Sequence, residues 1–312
     1  MLSQNTLPLP GGGRRVSDRK GPSLLQRVLT GRAAPSELQF PPMPARTVQT
    51  AFGPRCVAMA GYAGPTVVFE SGLGSGKEAW APVFQALSQH AQVLAYDRAG
   101  YGGSPLSDRP RDGVQLVREL RALLYALNLP PPYVLVGHSL GGTLMKLYAR
   151  LYPHEAAGVV LVDARNSDFS KSARHMGVHK LLYEPPRALF MLAKPAIRRE
   201  LRAAQQIMQQ AREAGAFPSV PLIVLTHQRA ATHWPRDLGR AWLSSQRSMA
   251  RLSALGRIAV CNDSGHHVHR DRPDVVVHAV VSVLEAARYL HAKLERTVLA
   301  TDFDHTADWE TG

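Results

Sequence analysis

The feature that most constrains this chain is a ten-residue stretch, Tyr133-Val134-Leu135-Val136-Gly137-His138-Ser139-Leu140-Gly141-Gly142. An apolar, β-branched run of buried-strand length ends on G-x-S-x-G and passes at once into a segment of helical period, Gly141 to Leu151. A backbone that turns from strand to helix in so few residues folds back on itself, and Gly137 and Gly141 stand where side chains would collide. The spacing predicts a sharp, strained turn that lifts the Ser139 hydroxyl above a sheet, with the positive end of a helix behind it. Negative charge developing beside that serine would be stabilised there.

The rest of the chain supports such a sheet. From about Thr47, apolar runs of strand length (Thr66 to Phe69, Val93 to Tyr96, Tyr133 to Gly137, Val159 to Val162, Leu222 to Leu225, Arg257 to Val260) alternate with helical segments. These are Glu78 to Ser88, Val114 to Leu127, Gly141 to Leu151, Arg240 to Leu252 and Pro273 to Leu294. The pattern predicts an α/β fold, a mostly parallel central sheet with helices on both faces. The core is expected over 47–163 and 221–296. Residues 164–220 are too long for a simple crossover and predict a helical lid insert after strand six, whose stripe of Ile197, Leu201, Ala204, Met208 and Ala211 faces inward and stops near Gly215. Residues 1–46, rich in Gly, Pro, Ser and Arg, predict a disordered basic tail, and residues 297–312 an acidic flexible one.

Composition removes several function classes. The only cysteines, Cys56 and Cys261, have no C-x-x-C neighbour, so a disulfide framework or zinc ribbon lacks raw material. The stretch Ala122 to Met145 has the length of a membrane span but carries Pro130-Pro131-Pro132 and several glycines, which argue against one. No secretory leader is visible, and a cytoplasmic location is expected. A net charge of +13 favours anionic partners, yet its arginines are scattered and aromatics make up 7%, so no nucleic-acid partner is expected. Peripheral contact with anionic membrane through the basic tail and insert is an additional reading.

Two more glycine-rich segments follow strands: Ser71-Gly72-Leu73-Gly74-Ser75-Gly76 and Asp97-Arg98-Ala99-Gly100-Tyr101-Gly102-Gly103-Ser104. Neither is a phosphate cradle, because the P-loop and dinucleotide spacings both fail: Ser71 and Glu78 stand where the P-loop needs Gly and Ser or Thr. Together with the Gly137–Gly142 turn they resemble the α/β-hydrolase superfamily, serine esterases and lipases in particular, over about residues 47–296. The resemblance implies Ser139 as nucleophile and the backbone N–H groups of Leu73 and Leu140 as the oxyanion hole. It also implies a late histidine as base. Gly265-His266-His267 after the last strand resembles the family's Gly-His loop, with His266 favoured over His267 because it directly follows the glycine.

The acid is less plainly marked. The usual position after strand seven, Thr226 to Thr232, holds no carboxylate. Asp163, at the end of Val159-Val160-Leu161-Val162, matches an alternative position used in this fold, and Asp237 is the other candidate. The expected activity is hydrolysis of a carboxylic ester or related acyl bond of a small, apolar substrate through an acyl-enzyme, needing no cofactor and no metal. The alternatives are a non-catalytic binding protein on the same fold, or an acyltransferase or thioesterase on the same scaffold.

Overall fold

The computed structural model describes residues 42–62, 64–177, 191–227 and 235–304, with 297–304 as backbone. Most of the predicted N-terminal tail, part of the insert and the end of the acidic tail lie outside these residues, as does the 228–232 part of the loop searched for an acid.

Eight strands form one sheet among the described residues: β1 (Ala45–Val48), β2 (Arg55–Ala60), β3 (Val67–Glu70), β4 (Val93–Tyr96), β5 (Tyr133–His138), β6 (Ala156–Val162), β7 (Leu222–His227) and β8 (Gly256–Cys261). Their order is β1-β2-β4-β3-β5-β6-β7-β8. β1 pairs with β2 and β2 with β4 antiparallel, and every other pairing is parallel. The predicted mostly parallel α/β sheet is therefore present. Sequence periodicity missed β1 and β2. β1 (ARTV) is mostly exposed, and the apolar run of β2 (RCVAMA) has a single β-branched residue, so neither stands out as a strand.

Side chains alternate between two cores, as a two-residue period requires. From β5 and β6, Tyr133, Leu135, Val159 and Leu161 point into the first core. Val134, Val136, Val160 and Val162 point into the second. Among the described residues the α-helices are α1 (Ala81–Ser88), α2 (Gly113–Ala126), α3 (Leu140–Leu151), α4 (Ser167–His175), α5 (Pro195–Glu213), α6 (Arg236–Ala250), α7 (Val268–Asp271) and α8 (Pro273–Asp304). α2, α3 and part of α5 cover the first core, with Leu120, Leu144 and Ile207 fully buried. α1 and α8 cover the second through Val83, Leu87, Val276 and Val280. Each such aliphatic side chain contributes about 1.5–3 kcal/mol on burial, which fixes the sheet as the rigid base of the molecule.

Two expected boundaries and one helix face shift. β1 begins at Ala45, inside the segment assigned to the 1–46 tail, because pairing with β2 gives a polar strand the partner its composition does not advertise. α8 runs through 297–304, where a flexible tail was expected, since Glu295 to Asp304 contains neither Gly nor Pro to stop it. On α5 the buried face is Ala196, Glu200, Ala204, Ile207, Met208 and Ala211, while Ile197 and Leu201 are only half-buried. The face turns by one residue because Glu200, a carboxylate that apolar periodicity would place outside, is held inside by two arginines.

Candidate active site

Ser139, Asp163, His227 and His266 all lie at or just beyond the carboxyl ends of β5, β6, β7 and β8. The neighbouring loop after β3 flanks the point where the strand order reverses, between β3 and β5, which is where open parallel sheets leave a crevice.

Ser139 has φ 53 and ψ −116, a conformation that an L side chain rarely adopts, and it precedes the first residue of α3. The turn is held by Ser139 N–H donating to Val162 O (3.1 Å) and by Arg165 N–H donating to Ser139 O (3.1 Å). A Cβ on Gly137 would lie 2.5 Å from Gly141 O, and one on Gly141 would run into Glu70 O and Ser71 O. Both glycines are thus required by close backbone approach. As the first residue of α3, Leu140 presents an N–H with no intrahelical acceptor. Gly72 packs against this turn, since a Cβ there would lie 3.3 Å from the Ser139 Cβ. Leu73 follows it and packs against the first core.

Asp163 is fully buried with φ 46, at the turn after β6. Its Oδ2 lies 2.6 Å from His266 Nδ1 and 2.9 Å from His227 Nδ1, and its Oδ1 accepts hydrogen bonds from Thr226 Oγ1 (2.8 Å) and His227 N–H (3.3 Å). The His227 ring is close but not aligned for a hydrogen bond. Trp242 Nε1 in turn donates to Thr226 Oγ1 (3.1 Å). Burial alone would raise the Asp163 pKa, but the His227 and His266 imidazoles outweigh it and bring it down to about 2. An ionised carboxylate can only accept, so His266 donates to it from Nδ1, which leaves Nε2 as the ring nitrogen free for a substrate or nucleophile. The His266 side chain is 41% exposed, open to a ligand.

Three further histidines surround this pair. His138 Nε2 donates to His266 O (2.9 Å), and the His138 ring centroid is 4.7 Å from that of His266 and 4.5 Å from that of His269. Burial, then the neighbouring imidazoles, hold the His138 pKa well below the usual histidine range. His269 is likewise depressed, by burial and then by His267 and Arg270. Burial and the adjacent His266 bring His267 down to about 4. Among the described residues no cluster of His, Cys, Asp and Glu has the geometry to hold a metal ion.

The structure therefore brings His266 and Asp163 into direct contact and sets Ser139 one residue from the ring that packs on His266. Among the described residues the Ser139 hydroxyl makes no hydrogen bond. Asp237 is elsewhere, exposed at the start of α6 and 3.6 Å from Arg240. Sequence reasoning missed His227, which stands at the end of β7 where a carboxylate was sought. Only its place as the last residue of an apolar strand could have drawn attention to it.

The loops that frame the site are cross-braced. Asp97 accepts from Lys77 N–H (2.7 Å) and Gly103 N–H (3.0 Å), and Ser104 Oγ donates to Asp97 O (2.7 Å), which accounts for the acid and serine of that motif. A cavity of about 380 Å³ lies between the Gly74–Glu78 stretch and the start of α5, lined by Tyr101, Leu192 and Ile197 among others.

A sequence profile described as the alpha/beta hydrolase fold matches residues 65–184. The chain is 29% identical over 244 residues to "Uncharacterized protein YqjL" of Bacillus subtilis, covering 76% of this chain and 90% of that protein. It is 38% identical over 120 residues to "Putative carbamate hydrolase RutD" of Pseudomonas savastanoi pv. phaseolicola, covering 38% of this chain and 46% of that protein, less than half the relative's length. In structure it is similar to the carboxylesterase CesB (YbfK) of Bacillus subtilis, with TM-score 0.54 at 18% identity over 78% of this chain and 93% of that one. With the sheet order, the elbow after β5 and these likenesses together, the chain has the α/β-hydrolase fold.

Proposed function

We propose that this α/β-fold hydrolase is a serine hydrolase that cleaves a carboxylic ester or related acyl bond through Ser139, His266 and Asp163. The observation that carries the reading is the 2.6 Å contact between His266 Nδ1 and the buried Asp163 carboxylate, next to a serine in a strained turn. In this mechanism His266 Nε2 takes the Ser139 proton as Oγ attacks the carbonyl carbon, and Asp163 stabilises the resulting imidazolium. The tetrahedral oxyanion is met by the N–H groups of Leu140 and Leu73. His266 then returns the proton to the leaving alcohol, giving an acyl-Ser139 that water, activated by the same imidazole, hydrolyses.

Turnover of p-nitrophenyl esters of increasing acyl length, with a thioester, an amide and a carbamate alongside, tests this reading. Ester hydrolysis is expected, with a fall of about 10³-fold or more in Ser139→Ala. A Ser139→Ala protein that keeps wild-type turnover would remove the serine mechanism. Absence of turnover on every acyl substrate would favour a binding role for the fold.

A further inference from the structure

Helix α5 of the insert reaches the loop after β3 through one carboxylate. Glu200 is fully buried. Its Oε1 accepts from Arg98 Nε (3.0 Å) and Arg111 Nη2 (2.8 Å), and its Oε2 accepts from Arg98 Nη2 (2.9 Å) and Tyr101 OH (2.8 Å). Two of these partners also hold the loop. Arg98 Nη1 donates to Ser71 O (2.7 Å) and Nη2 to Gly72 O (3.1 Å), while Gly74 N–H donates to Tyr101 OH (3.5 Å). Leu73 lies between the two tethered residues. Arg98 is braced from the sheet side as well, by Glu70 Oε1 at 2.5 Å.

We propose that Glu200 is a positioning residue: through Arg98 and Tyr101 it fixes the Ser71–Gly74 loop so that the Leu73 N–H is aimed at the reacting carbonyl oxygen. The inserted helix is then a working part of oxyanion binding as well as a cover. This inference rests on the serine-hydrolase reading and deepens it. A buried carboxylate is a poor way to gain stability, because its desolvation offsets most of the attraction to its partners, and an apolar residue on that face would pack at no such cost. What the ion pair supplies is direction. Both Glu200 oxygens are engaged, the planar Arg98 guanidinium meets them in a fork, and its remaining N–H groups are left aligned with two loop carbonyls. An oxyanion donor is effective only when it is held in place before charge develops, so the loop needs this kind of bracing. The start of the same helix also packs on the neighbouring turn, where a Cβ on Gly100 would lie 2.6 Å from the Ala196 Cβ.

The network contains its own control. Glu119, which pairs with Arg55 and Arg111 at 3.0 Å each, is equally part of the buried charge chain but touches nothing in the loop. Steady-state kinetics on a p-nitrophenyl ester and thermal melts of the full chain would be compared for wild type, Ser139→Ala, Glu200→Gln, Tyr101→Phe and Glu119→Gln. Glu200→Gln is expected to lower kcat about tenfold or more with KM within about twofold, because the lost alignment acts only in the transition state. Tyr101→Phe is expected to move kcat the same way by about threefold, having lost the longer tether. Glu119→Gln is expected to lower the melting temperature while leaving kcat within about twofold. The proposal is overturned if folded Glu200→Gln keeps kcat within twofold of wild type, or if Glu119→Gln loses as much kcat. Should Glu200→Gln fail to fold, an unchanged kcat in Tyr101→Phe overturns it. Full activity in Ser139→Ala is a separate result, which removes the serine reading itself and this inference with it.

Discussion

Asp163→Asn is expected to cut kcat by about 10⁴-fold while leaving the fold and KM nearly unchanged. The backbone has no reason to move, since asparagine tolerates the positive φ of 46 at this position as well as aspartate does. The change is electronic. Asp163 accepts from His266 Nδ1 and from Thr226 and His227 N–H, and an amide keeps only one acceptor oxygen for these donors. With that oxygen on Thr226 and His227, the amide N–H₂ faces His266 and drives its proton to Nε2, the nitrogen that must accept from serine. The imidazolium also loses a counter-charge held at a pKa of about 2. Asp237→Asn, at a side chain 81% exposed and facing Arg240, is expected to change turnover by less than about twofold. Turnover measured for both variants checks the assignment, and collapse in Asp237→Asn alone would reverse it.

Acidification is expected to destabilise the protein steeply just below neutral pH. His138 and His269 are buried and neutral, and among the described residues His138 Nδ1 and both His269 ring nitrogens have no hydrogen-bond partner. In the unfolded chain each imidazole takes up a proton below about pH 6.5, whereas in the folded chain uptake waits for a much lower pH. Within that window the unfolded state binds more protons, so stability falls as pH falls, by about 1.4 kcal/mol per pH unit for each group. His267, brought down to about 4, adds to the slope between pH 6.5 and 4. Asp163 acts lower, between its ordinary 3.8 and about 2, where protonation removes the stability of its paired carboxylate. Urea melts between pH 7.5 and 5 should show the loss. His269→Leu should make the dependence shallower by one proton's worth, and it should stabilise the protein at neutral pH by removing two unpaired ring nitrogens. A flat profile, or an unchanged slope in His269→Leu, would contradict this.

These two predictions draw on different levels of the chain. The elbow could be read from sequence because its constraint is local: Gly137, Ser139 and Gly141 must meet one another and the Glu70–Ser71 backbone within a few residues of strand and helix. The parallel strands could be read because Val134, Val136, Val160 and Val162 are buried on a sheet covered on both faces. β1 could not, since Ala45-Arg46-Thr47-Val48 is mostly exposed and becomes a sheet edge only by pairing with β2, and β2 could not, since Val57 is its single β-branched residue. The inward face of α5 was misjudged for a related reason. Apolar periodicity rewards Ile197 and Leu201, and no local rule predicts that Glu200 is buried against Arg98, 102 residues away. The contact between Asp163 and His266 spans 103 residues, so the sequence could offer two carboxylates without choosing geometrically between them. His227 was overlooked because an imidazole at a strand end has no motif of its own.

The most direct measurement is peptide mapping by mass spectrometry after treatment of the full chain with a fluorophosphonate. The account predicts one covalent adduct per chain on the peptide carrying Ser139, and none in Ser139→Ala. An adduct on any other residue, or ester turnover with Ser139 left unmodified and the protein still uninhibited, would contradict it.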